Sequence, residues 1–201
     1  MANPGKKLIS PNGRVSFESV FETSGMEGSE RKTYNVTLLI PKELEGEQKD
    51  RFDAMLEAAN VVCGAKWGCD LEGKDKSGKV VKRGIRSPLR DGADKPDLDG
   101  YGEDVWFVRF VSGSPVGPGV VDQMKRPITR NSGQFYNGCW ARVSFDAFGY
   151  EHPTNKGISF GLGNVQKVAD GEAFGAGRTT ADEDFEELEV DAIGDLEDVL
   201  S

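Results

Sequence analysis

The stretch from Phe135 to Tyr150, FYNGCWARVSFDAFGY, alternates with a period of two and contains no proline, which a helix would not produce and an extended strand would. Cys139, Ala141, Val143, Phe145 and Ala147 fall on one side, and Trp140, Arg142, Ser144, Asp146 and Phe148 on the other. The first side reads as core. The second combines a large aromatic, a cation and a hydroxyl, the mixture that stacks single-stranded bases and neutralises their phosphates. A Trp and an Arg on that face would serve equally to cover a barrel end, so this strand leaves both readings open.

The rest of the chain is built from similar pieces. Arg14 to Phe21 (RVSFESVF) reads as a strand with Val15 and Phe17 on one face and Ser16 and Glu18 on the other. Lys32 to Ile40 places Tyr34, Val36, Leu38 and Ile40 together opposite Thr33, Asn35 and Thr37, and Pro41 stops it. From Glu47 to Cys63 the period changes: Phe52, Met55, Leu56, Ala59, Val62 and Cys63 recur at steps of three and four, which predicts one amphipathic helix ending near Gly64 and Gly68. Glu103 to Val111 reads as a strand with Val105, Phe107 and Arg109 opposite Trp106, Val108 and Phe110, most of them expected to be buried. Ile158 to Val168 is a Gly-containing strand that offers Phe160, Leu162 and Val165 to the core.

Charge is distributed unevenly. The formal net charge is −9, yet residues 182–201 hold ten carboxylates and no Lys or Arg. Removing those ten from the 34 acids leaves 24 against 25 cations, so the body is about neutral. Against that background Leu71 to Gly102 is long for a loop and basic. Lys74, Lys76, Lys79, Lys82, Arg83, Arg86 and Arg90 fall within it, between Trp67 and Tyr101. A solvated hairpin is one reading; a phosphate-contacting arm is the preferred one. Lys125, Arg126 and Arg130 precede the central strand, and Arg109 is a further candidate cation.

Catalytic and metal signatures are absent from the sequence. There is no GxxxxGK[ST], HExxH or GxSxG string, the single histidine is His152 before a proline, and Cys63, Cys69 and Cys139 form no CxxC pair. The expectation is therefore no enzyme, no cofactor, no metal, and thiols kept reduced in a cytoplasm. A metal-dependent nuclease built from scattered carboxylates, or an acidic interaction or assembly protein without DNA binding, are the alternatives. No apolar run approaches the length of a membrane span.

Several strings, in order, carry a resemblance: RVSF, YNVTLLIPK before a helix, PLRDG, FYNGCWARVSFDAFGY, NKGISFGLGNVQKVADGE and the late EDF. In these the chain resembles the bacteriophage single-stranded DNA-binding proteins of the OB-fold type, over roughly Arg14 to Phe185. The resemblance implies a mainly β fold, an OB-fold-like five-stranded Greek-key barrel with one helix, long loops and a disordered acidic C-terminal tail. It implies a protein of the host cell cytoplasm that coats single-stranded DNA in phage replication, recombination or repair, without reading sequence. Tyr136, Trp140, Arg142 and Arg90 are the matching candidates for DNA contact. Lys82, Arg83, Arg86, Tyr101, Arg109, Lys125 and Arg126 join them on charge or aromatic character.

The organisation expected is a DNA-binding domain over residues 1–169, a Gly-rich linker over 170–181 and an acidic partner-binding tail over 182–201. Within the tail Phe185, Leu188, Ile193, Leu196 and Leu200 recur at helical steps, a spacing that mere solubilisation does not need. Replication or recombination proteins are its expected partners, and a barrel-strand edge is a plausible place for self-association.

Overall fold

The computed structural model describes residues 7–25, 32–82 and 84–175. The acidic segment 182–201 and Arg83 lie outside the described residues. In chain order the strands are β1 (Leu8–Ile9), β2 (Gly13–Ser24), β3 (Thr33–Pro41), β4 (Ile85–Arg86), β5 (Leu89–Asp91), β6 (Val105–Ser112), β7 (Val120–Val121), β8 (Trp140–Glu151) and β9 (Lys156–Ala169). A single α-helix among the described residues, α1 (Gly46–Trp67), follows β3.

Five of the strands pair in a ring. β2 pairs with β3, β3 with β6, β6 with β9, β9 with β8, and β8 returns to β2. Only the β6–β9 pair is parallel in that ring. The mainly β architecture with one helix is the one expected, and the short strands β1, β4, β5 and β7 extend it by pairing with β8, β9, β6 and β9 respectively.

The interior follows from alternation. Ala141, Val143 and Phe145 of β8 are buried, while Trp140, Arg142 and Ser144 are half-buried and Asp146 and Phe148 exposed. Phe145 meets Phe110 and Phe160 at ring-centroid distances of 5.5 and 4.9 Å, and Phe110 stacks on Phe160 at 5.7 Å. These aromatic contacts tie β8, β6 and β9 together through the middle of the ring. The helix adds Met55, Ala59 and Cys63 to the same core and packs on β8, β9 and β1. Gly68 ends it in the left-handed region at φ 70°, its N–H bonded to the carbonyl of Gly64.

Three expectations need correction. Phe17 does not share the core face of Val15: it is 55% exposed at φ 49°, where the β2–β3 register shifts between Ser16 and Ser19. A bulge resets the alternation that an unbroken strand would have kept. On the polar side of β3, Asn35 and Thr37 are 4% and 6% exposed and line a cleft.

The basic stretch 71–102 is not one arm. Its first part is a tight turn, with Lys74 paired to Glu72 and Asp75 accepting hydrogen bonds from Ser77 and Lys79; the part after Gly84 enters β4 and β5. Finally, residues 170–175 of the expected linker are a docked strap. Arg14 donates to the Glu172 carbonyl, Phe174 N–H to the Asn137 carbonyl at 2.9 Å, and Gly175 N–H to Asp99 at 2.8 Å. A side chain at Gly138 would collide with the backbone of Glu172, so the strap's closeness depends on that glycine.

Candidate nucleic-acid interface

The outward face of β3 and β6 builds the site. Thr37 pairs with Arg109 and Leu39 with Phe107 across the β3–β6 ladder, while Arg90 of β5 pairs with Phe107 from the other side. Leu39 and Phe107 are 2% exposed and lie outside the main core cluster. They form a small second core on the outside of the ring, roofed by polar side chains. The Arg90 guanidinium lies 4.3 Å over the Phe107 ring, Lys95 Nζ is 5.3 Å from the same ring, and the Tyr101 ring packs on it at 5.3 Å. Phe107 thus acts as a pedestal that holds two cations at the surface.

Two clefts, of about 580 and 500 Å³, lie on this face and share Arg90 and Arg109. The first is walled by Arg86, Tyr150, Ile158 and Ser159; the second by Phe17, Lys95, Tyr101 and Asn137, with Glu18 as its carboxylate. Together they make a groove carrying Arg86, Arg90, Lys95 and Arg109, none of which is in an ion pair among the described residues. Burial pushes the Tyr101 phenol above its ordinary pKa, opposed by its hydrogen bond with Ser16 and the nearby Arg90 charge, so it is neutral at pH 7.

The remaining candidates sit elsewhere. Arg142 donates twice to Gln166 Oε1, at 3.0 and 2.8 Å, and lines a separate cleft of about 360 Å³ with Lys125 and Arg51. Arg126 is paired with Asp122 at 2.6 Å. Tyr136 donates its hydroxyl toward Asp170 and the Gly171 carbonyl, both at 3.0 Å, and Lys167 lies 5.3 Å over its ring while bonding Asp170 at 2.6 Å. Both partners hold the Asp170 carboxyl below the usual range. Trp140 is half-buried opposite Arg14 and Ala169, and the Lys82 N–H is bonded to the Gly73 carbonyl.

The groove therefore unites Arg86, Arg90, Tyr101 and Arg109, and separates them from Tyr136, Trp140, Arg142, Lys125 and Arg126. It also contains Phe17, Lys95, Phe107 and Tyr150, which sequence reasoning did not select. The alternation of Phe107 with Arg109 was a usable signal for one of them; the bulge that exposes Phe17 has none.

The sequence profile of the family described as Enterobacter phage Enc34, ssDNA-binding protein, matches residues 6–196. The chain belongs to this family. The match to the Enc34 family runs past the strap into the acidic segment. Protein p50 of Acyrthosiphon pisum secondary endosymbiont phage 1 is 30% identical over 183 residues, covering 90% of this chain and 94% of that protein. Among solved structures, the single-stranded DNA-binding protein from bacteriophage Enc34 in complex with ssDNA aligns with TM-score 0.64 at 23% identity, over 83% of this chain and 88% of that one. The single-stranded DNA-binding protein gp2.5 of bacteriophage T7 aligns with TM-score 0.60 at 15% identity, over 92% and 100%. The structural likenesses show a shared fold, and the resemblance read from RVSF, PLRDG and the central strand is borne out by the family match. Among the described residues no helix is long and apolar enough to cross a membrane, and no cluster of three or more His, Cys, Asp or Glu is placed to hold a metal.

Proposed function

We propose that this protein binds single-stranded DNA along the β3–β6 groove without reading its sequence. The observation that carries the reading is the pair of adjoining clefts sharing Arg90 and Arg109, flanked by Arg86, Lys95 and the aromatics Tyr150 and Phe17. Cations in no ion pair among the described residues are available to phosphates, and each contact releases counterions from the strand. Aromatic rings at the ends accept bases of any identity, because every base has a π-face. The relatives' names support the same reading. The role is binding rather than catalysis, in the replication, recombination or repair of phage DNA within the host cytoplasm. Residues 182–201, through Phe185, Leu188, Ile193, Leu196 and Leu200 among their carboxylates, recruit protein partners to the coated strand.

Fluorescence anisotropy with labelled single- and double-stranded oligonucleotides across a salt series tests this. The expected result is preference for the single strand, affinity falling as salt rises, and weakening by Arg109→Ala. Equal binding of both forms, or none at low salt, would overturn it.

A further inference from the structure

Beside the groove lies a further cavity, of about 230 Å³, framed by Phe17, Tyr101, Phe174, Ser16, Leu98 and Asn137. It shares Phe17, Tyr101 and Asn137 with the second groove cleft, so a strand in the groove passes its mouth. Three aromatic rings frame it and no Lys or Arg lines it; Asp99 contributes the one charge, a negative one. Such a lining repels phosphate and suits a flat neutral ring. Its volume is below the roughly 300–1,000 Å³ of pockets that enclose drug-sized ligands, which limits it to about one ring system.

Two features show that the cavity is held open by design of the chain rather than left by loose packing. Phe17 is a bulky residue at φ 49°, a conformation that costs free energy and persists where surrounding structure enforces it. It is nevertheless 55% exposed, so core burial does not explain the strain. Phe174, which also lines the cavity, is held by the Arg14 guanidinium, 4.2 Å from its ring centre, and by its own N–H bonded to the Asn137 carbonyl. Asn137 Oδ1 accepts from the Glu18 N–H at 3.2 Å, and its NH2 has no partner among the described residues, leaving a donor at the mouth.

We infer that this cavity is a nucleobase slot. One base of the bound strand turns out of the groove and stacks on Phe17, with Tyr101 and the Phe174 strap as its other walls. Its phosphates stay with Arg90 and Lys95 outside. The inference rests on the single-strand reading of the groove and adds an enclosed pocket, behind the Phe17 ring already assigned to the groove, that takes one base out of the path of the backbone.

The test compares an oligothymidylate with an abasic strand of the same length, using the full chain and its Phe17→Gly and Phe174→Ala variants. Glycine tolerates the left-handed backbone, so Phe17→Gly should unfold at the same or a higher temperature than the wild type. Stacking of one base predicts that it weakens oligothymidylate binding by about 5- to 150-fold while leaving the abasic strand unaffected. Phe174→Ala should show the same selectivity to a smaller degree, and it carries the test if the glycine variant misfolds. Equal weakening for both strands, or no change for either, would overturn the slot. Binding of neither strand by the wild type would instead remove the groove reading on which the slot depends.

Discussion

The two basic regions of the barrel contain similar residues and differ in what those residues are already doing. On the β3–β6 face, Arg90 and Arg109 rest on or beside Phe107 and are in no ion pair among the described residues. At the start of β8, Arg142 spends two N–H groups on Gln166, and nearby Arg126 is neutralised by Asp122. Tyr136, just ahead of that strand, fastens the strap through Asp170 and Gly171. A cation supported by an aromatic ring keeps its charge for a ligand; one supported by an acceptor has partly used it. The two regions thus differ in free bonding capacity rather than in residue type.

That contrast can be broken most decisively by charge removal in the groove. Arg90→Ala with Arg109→Ala should weaken single-strand binding by about 150-fold or more at low salt, from two lost charged hydrogen bonds. The slope of log affinity against log salt should fall by about 1.4, two phosphates at about 0.7 each. A titration with an unchanged slope would mean that the strand runs elsewhere. Next in size, Tyr136→Phe should act on stability, lowering the melting temperature by about 1–6 °C through its lost hydrogen bonds, with the salt slope unmoved. A shifted salt slope without a change in melting would move Tyr136 from brace to contact surface.

Arg142→Ala should be milder in binding, with affinity reduced less than about threefold and a slope change well under the 0.7 of a phosphate contact. A full slope change would erase the distinction between the two regions. The smallest effect concerns acid. Because the Asp170 carboxyl is held low by Lys167 and Tyr136, its contribution to stability is present above the ordinary carboxylate range and is lost as pH falls through and below about 4. Thermal melts of Asp170→Asn should accordingly show a shallower acid limb than the wild type, while identical limbs would leave Asp170 without that role.

Periodicity carried much of the fold. The β8 core side, the helix with Met55, Ala59 and Cys63, and the Val36, Leu38 and Ile40 face were legible because burial imposes a period that single residues report. The pairing ring was not legible this way, since which strands adjoin depends on contacts far apart in sequence. The site was legible by composition alone: Arg86, Arg90, Tyr101 and Arg109 stood out as cations or aromatics. Their assembly depends on β5 pairing with β6, and the basic stretch 71–102 disguised that pairing as loop. That Arg142 and Tyr136 already have partners was not legible for the same reason, because Gln166 and Asp170 lie 24 and 34 residues away. Phe17 escaped because an unbroken alternation and a bulged one have the same residues.

β9 pairs with β8 in antiparallel register and with β6, β4 and β7 in parallel. Among the described strands it is also the last to leave the ribosome. Until it emerges, β6 and β8 each present an unsatisfied edge, and the nascent chain cannot complete its hydrogen-bonded circuit. Completion then adds a local hairpin with β8 and a longer-range closure on β6, where Phe110 meets Phe160, and the second of these is the slower step. Translation arrested before Lys156 should therefore yield no partially competent protein, only a sticky intermediate for chaperones to hold.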